Sequence, residues 1–134
     1  MAGMEWNPET DSVGVVAIDN QHQQMFQAID ALIASFGLRD RLAVYRRLLE
    51  LSMIVRRHFK YEEAYLKRME LEPIALSAHR EAHAHYLRFL SDCLRDFGAG
   101  EPLREKDITE FFTRWTRMHI QDRDLADFSA IAGR

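Results

Sequence analysis

The chain is short of cysteine, proline and glycine: one, three and six respectively in 134 residues. A lone Cys93 cannot close an internal disulfide, so the chain is no disulfide scaffold and reads as a cytoplasmic protein with one buried thiol. So few helix breakers, most of them near presumed junctions, permit long uninterrupted helices. No run approaches the roughly 20 apolar residues of a membrane span, and Met1 to Asp11 lacks the basic, apolar, small-residue succession of an export signal. An excess of one charge is missing too. The 18 basic and 21 acidic side chains are mixed along the length for a net charge of -3, which leaves no basic stripe for a nucleic-acid backbone. Repeats and low-complexity segments are absent. What is present is a 47% hydrophobic composition, suited to one core and to a single domain over residues 1–134.

Apolar residues recur three and four apart in four successive stretches, which predicts an all-α, up-down-up-down four-helix bundle. The first helix is expected from about Asp19 to Phe36, with the seam Ile18, His22, Met25, Ile29, Leu32 and Phe36, and Gly37 ends it. The second runs from about Asp40 to Glu70 with the seam Leu48, Leu51, Val55, His58, Glu62, Tyr65 and Met69. The third starts near Pro73, and its seam is Leu76, His79, His83, Tyr86, Leu90, Cys93 and Phe97 before Gly98 and Gly100. The fourth begins between Leu103 and Asp107, carries Ile108, Phe112, Trp115 and His119 inward, and frays between Asp127 and Ile131. Residues 1–17 are expected as an extended N-terminal arm packed through Trp6, with the bundle over residues 18–131.

Five of the six histidines occupy seam positions, and so does Glu62. In an up-down bundle His22, His58 with Glu62, His79 with His83, and His119 converge at one level. Buried imidazoles and a carboxylate without partners cost several kcal/mol in total, more than a marginally stable domain can absorb. A metal centre compensates them, because neutral imidazole and carboxylate are good first-row ligands and i, i+4 pairs point to one place. His119 and Asp124 stand five apart, about 140° away from each other on an ideal helix. A π-type bulge between Met118 and Asp124 is therefore predicted, with Asp122 as the substitute if the helix is regular. Seven ligands are too many for one tetrahedral zinc and suit two neighbouring ions. Two octahedral ions offer roughly twelve positions, and two bridging carboxylates, five histidines and one bridging oxygen fill all but one. His85 reads as an exposed bystander and Glu63 as an outer-face carboxylate. Glu81 stands at neither position that a zinc protease needs, and no histidine follows a glutamate by three residues as in ferritin-like sites.

These residues resemble the single-domain bacterial form of the hemerythrin family over nearly the whole chain, from Trp6 to Asp124. The likeness lies in Ile18-Asp19-Asn20-Gln21-His22, in His58-Phe59-Lys60-Tyr61-Glu62-Glu63, in His79-x-x-x-His83 and in Trp115-x-x-x-His119-Ile120-x-x-x-Asp124. The resemblance implies two iron ions with an oxo or hydroxo bridge, His79, His83 and His119 on one, His22 and His58 on the other, and Glu62 and Asp124 bridging. It implies reversible dioxygen binding, for transport, storage or delivery, with no catalysis. Such binding needs a dry pocket, whose expected wall is Met25, Phe59, Trp115 and Ile120. The chain departs from the family at Thr116, where leucine is common, at Glu72-Pro73 in place of Tyr-Pro, and at Asp127 in place of a tyrosine. The alternatives are an oxygen or redox sensor acting on a separate partner protein and, behind it, a peroxidase-like or nitric-oxide-handling enzyme that a polar Thr116 favours.

Overall fold

The computed structural model describes residues 3–133; Met1, Ala2 and Arg134, which the expected arm and domain include, lie outside it. The helices are α1 (Pro8–Asp11), α2 (Val16–Phe36), α3 (Arg41–Arg68), α4 (Pro73–Gly98) and α5, which runs over residues 105–131. No strand occurs among the described residues. Connections of a few residues set neighbours antiparallel, and α3 packs on α2 and on α4.

Local chemistry accounts for most of the boundaries. Asp40 caps α3 by accepting from the Leu42 and Ala43 amides (3.0 and 3.3 Å), as a short carboxylate does at a helix start. Pro73 opens α4, where its missing N–H costs nothing. The first bundle helix starts three residues earlier than Asp19, because the Asp19 carboxylate reaches back to the Val13 amide (2.9 Å) and the Ser12 hydroxyl and secures the turn before it. The arm is accordingly not extended throughout. It makes one helical turn, capped by the Asn7 side chain on the Glu9 amide (3.0 Å), and Trp6 meets the Phe26 ring edge-on at 5.8 Å.

The inward faces follow the three-four pattern. Ile18, His22, Met25, Ile29, Leu32 and Phe36 of α2 are buried, as are Leu48, Leu51, Val55, His58 and Glu62 of α3. At the end of α3 the seam passes to Leu66 rather than Tyr65, which is half-buried with Met69. A strict heptad drifts against 3.6 residues per turn, so the inner face moves one position along a long helix. On α4 the burial of Leu76, His79, His83, Tyr86 and Leu90 gives way to half-buried Cys93 and Phe97.

The fourth bundle helix is not one regular rod. Its segments are α-helical at Glu105–Glu110, π-helical at Phe111–Trp115, α-helical at Thr116–Met118, π-helical at His119–Asp124 and α-helical at Leu125–Ile131. The second wide segment stands where the histidine-aspartate spacing calls for it. The first has no such signal; there the Thr113 hydroxyl donates to the Thr109 carbonyl (2.7 Å), giving that acceptor a donor outside the regular ladder.

Two apolar clusters fill the bundle. The larger includes Met25, Ile29, Leu32, Leu48, Leu51, Val55, Phe59, Tyr86, Leu90 and Phe112. The smaller holds Ile18, Leu66, Leu71, Leu76, Phe128 and Ile131. Between them in sequence on every helix lie the polar seam residues: His22 between Ile18 and Met25, Glu62 between Phe59 and Leu66, His79 just after Leu76, Asp124 between Phe112 and Phe128. The polar layer is thus sealed from both sides by hydrocarbon rather than open at the bundle's end.

Candidate metal centre

Four helices deliver the layer: α2 gives His22, α3 gives His58 and Glu62, α4 gives His79 and His83, and α5 gives His119 and Asp124. All are buried, His119 at 9% being the most exposed. The two i, i+4 pairs need only a regular helix. The wide turn His119–Asp124 brings the Asp124 Oδ1 to 2.9 Å from the His119 Nε2. Asp122, the substitute, is exposed instead and borders a surface groove of about 530 Å³ along with Trp115, Met118, His119 and Arg123.

Each imidazole meets the carboxylates through Nε2. Glu62 Oε1 lies 2.6 Å from His79 and 3.2 Å from His83, while its Oε2 lies 2.9 Å from His58 and 3.2 Å from His22. Asp124 divides in the same sense: Oδ1 is 2.9 Å from His119 and 3.1 Å from His79, and Oδ2 is 3.2 Å from His22. Both carboxylates therefore offer one oxygen to the group His79, His83, His119 and the other to the group His22, His58. The ligand atoms of Glu62, His79, His83, His119 and Asp124 lie within 4.8 Å of one another, as do those of His22, His58 and Glu62.

A test of whether ions fit is the state of the polar atoms. Among the described residues, His83 Nε2, His119 Nε2 and both Asp124 oxygens lie 2.9 to 3.2 Å from a carboxylate or imidazole of the layer, yet none of these contacts has hydrogen-bond geometry. Contacts so poorly directed satisfy these groups only in part, and a wholly unmet group costs about 1–3 kcal/mol in a core. All four point into the layer, and cations placed between them and Glu62 would satisfy them together. The donor set of imidazole and carboxylate matches such cations.

Without a metal, protons must do this balancing. Burial disfavours the imidazolium of His22, but the carboxylates of Asp124 and Glu62 outweigh it and raise the pKa to about 9. His79 is raised to about 10 against the same burial by the same two carboxylates. For His58 burial prevails over the pull of Glu62, and its pKa falls. Glu62 and Asp124, despite burial, are held well below the usual carboxylate range by the surrounding histidines. His22 and His79 of the metal-free protein are consequently protonated at neutral pH, whereas ligation needs them neutral. Loading metal-free protein with ferrous iron at pH 7 should release protons, and the release should fade as pH climbs past about 10. Anaerobic titration calorimetry in buffers of different ionisation enthalpy measures it; an uptake indifferent to buffer would contradict the assignment.

Partners that sequence reasoning leaves out stand behind the histidines. Glu63 is no outer-face carboxylate: its Oε2 accepts from His83 Nδ1 at 2.7 Å. Asp127 Oδ2 accepts from His79 Nδ1 at 2.7 Å, and Gln21 Oε1 accepts from His58 Nδ1 at 2.6 Å. The available signal was position. Glu63 and Gln21 adjoin a seam residue, and Asp127 lies three residues after Asp124 on the same helix.

Of the expected pocket wall, Phe59 stacks on the His83 ring (centroids 3.8 Å, 7° between planes) and Trp115 on the His119 ring (4.5 Å, 12°). Met25, Ile120 and Thr116 are buried. Tyr86, read only as a seam residue, joins this wall by meeting Trp115 at 4.7 Å and Phe59 at 5.4 Å. Its hydroxyl and that of Thr116 are both buried and interact with each other, and among the described residues neither has a further partner. His85 is exposed.

The chain's residues 13–131 match the family model "Hemerythrin HHE cation binding domain". It is 28% identical over 124 residues to the bacteriohemerythrin of Methylococcus capsulatus, covering 92% of this chain and 93% of that one. To the bacteriohemerythrin of Pseudomonas paraeruginosa it is 25% identical over 131 residues, 98% of this chain and 83% of that one. A solved wild-type hemerythrin superposes with a TM-score of 0.91 at 25% identity, covering 98% of this chain and all of the other. A leucine-to-tyrosine variant of hemerythrin gives the same score at 26% identity, covering 99% and 100%. A family match over nearly the whole bundle, with a buried layer of imidazoles and carboxylates suited to two ions, makes this chain a member of the hemerythrin family, and the layer the seat of a di-iron centre.

Proposed function

We propose that the protein is a non-catalytic carrier or store of dioxygen, acting in the cytoplasm as one hemerythrin-like domain over residues 1–134. In this reading His79, His83 and His119 hold one iron, His22 and His58 hold the other, and Glu62 and Asp124 bridge them. The observation that carries it is the split of both carboxylates between a group of three histidines and a group of two. With Glu62 and Asp124 shared, the group of two histidines would offer its ion one donor fewer than the group of three, and a small molecule could take that place. When bound, a ferrous pair supplies the two electrons that dioxygen takes on binding and returns on release.

The chain's own residues provide the rest. Gln21, Glu63 and Asp127 orient three of the histidines by holding Nδ1 and leaving Nε2 for metal. Phe59 and Trp115 cover histidine faces with hydrocarbon and, with Tyr86, keep bulk water from the layer. Reduced, iron-loaded protein should develop a visible charge-transfer band in air and lose it under vacuum through repeated cycles. A single irreversible change would reject the carrier reading.

Thr116 is the weak point of the wall, because a buried hydroxyl can hold a water or pass a proton where dryness is needed. Thr116→Leu should slow autoxidation several-fold in a stopped-flow or spectrophotometric time course. An unchanged rate would remove Thr116 from the wall.

A second reading, an oxygen or redox sensor acting on a partner protein, draws support from the arm. Asp11, fully buried, accepts from Gln121 Nε2 (2.9 Å) inside the wide turn and pairs with Arg117 (3.4 Å), which also donates to the Glu5 carbonyl (3.0 Å). Any shift of His119 or Asp124 therefore reaches the arm through neighbouring residues. Equal arm protection in hydrogen exchange of the reduced and oxidised forms would count against it.

A further inference from the structure

Four of the imidazoles that face the layer through Nε2, those of His79, His83, His58 and His22, are not backed alike. Behind His79 stands the carboxylate of Asp127, and behind His83 that of Glu63, each at 2.7 Å from Nδ1. Behind His58 stands the neutral amide of Gln21 at 2.6 Å, and His22 Nδ1 is buried with no hydrogen-bond partner among the described residues. Both anions thus lie behind the group of three histidines and none behind the group of two.

The anions themselves differ. Asp127 is 8% exposed at its side chain and, among the described residues, pairs with His79 alone, so solvent does little to weaken it. Glu63 is 25% exposed and shares its charge with Arg80 at 3.4 Å. A carboxylate accepting the Nδ1–H draws the proton toward itself and leaves Nε2 a stronger donor, and its negative charge favours the more highly charged state of a nearby ion.

We propose that Asp127, assisted by Glu63, is a positioning residue that makes the two metal sites unequal: the His79, His83, His119 site fills first, and the loaded pair has a lower reduction potential than neutral partners would give it. This rests on the two-ion reading above. The His22, His58 site, backed by an amide on one side and nothing on the other, is the weaker and the later to fill.

The test is stepwise cobalt(II) titration of the metal-free protein against a chromogenic chelator, with potentiometry of the iron-loaded protein beside it. Asp127→Asn keeps an acceptor oxygen and removes the charge. It should weaken the first cobalt step about ten-fold while leaving the second nearly unchanged, in line with the usual effect of such partners, and raise the midpoint potential. Gln21→Glu should do the converse, tightening the second step and lowering the potential, and it carries the test by itself if Asp127→Asn fails to fold. Unaltered steps and potential in either folded variant, or an equal weakening of both steps, would overturn the proposal. Wild-type protein that takes up fewer than two cobalt ions would instead overturn the two-ion reading beneath it.

Discussion

Replacing Glu62 by alanine should cost the protein both ions at once. One oxygen of that carboxylate faces His79 and His83 and the other faces His58 and His22, at 2.6 to 3.2 Å, so truncation strips a ligand from each site in one step. It also leaves like-charged imidazolium groups facing one another where a fully buried anion had separated them. His22→Ala touches the two-histidine group alone and should leave one ion bound with near-native affinity. Metal analysis after dialysis, read as iron or cobalt per chain, distinguishes the two: close to zero for the first and close to one for the second. Retention of one tightly held ion by Glu62→Ala would show that the carboxylate serves a single site.

Removal of both ions should lower the thermal midpoint by roughly 10–20 °C, at about 3–5 °C per kcal/mol for a chain of this size. The poorly directed contacts of His83 Nε2, His119 Nε2 and the two Asp124 oxygens leave each group short by up to the about 1–3 kcal/mol that an unmet group costs when no cation meets it. That is a large part of the about 5–15 kcal/mol by which such domains are stable. Protons offset some of it. His22 and His79 have folded pKa values of about 9 and about 10 against an ordinary 6.5. Their contribution to the metal-free fold is complete below about pH 6.5 and is lost as pH rises through about 9 to 10. The difference between loaded and metal-free midpoints should therefore widen from pH 6 to pH 9. Scanning calorimetry of both forms across that range measures it, and a metal-free midpoint equal to the loaded one would refute the compensation argument.

Legibility of the site varied by residue for physical reasons. His22, His58, Glu62, His79 and His83 stand on the apolar stripe of regular helices, where a polar residue can face only inward, so residue type and period alone bring them together. Asp124 was harder, since its spacing from His119 is wrong for an α-helix; only the need to satisfy both residues pointed to the wide turn His119–Asp124. Glu63 was misplaced on the outer face. A long side chain beside a seam position can curl back, and whether it does depends on the ring of His83 across the interface on another helix. The wide turn at Phe111–Trp115 and the part of Tyr86 in the pocket wall left no mark in the spacing.

What the sequence by itself determined is therefore the number of bundle helices, most of their inward faces and the level at which imidazoles and carboxylates meet, because these follow from a period and from the cost of burying polar groups. What only the tertiary structure decided is how the groups divide: which oxygen of Glu62 and Asp124 serves which histidines, and which histidines are backed by Asp127, Glu63 or Gln21. Those choices turn on contacts of about 3 Å between residues as far apart in the chain as His22 and Asp124, and no local pattern encodes the rotation and offset of one packed helix against another.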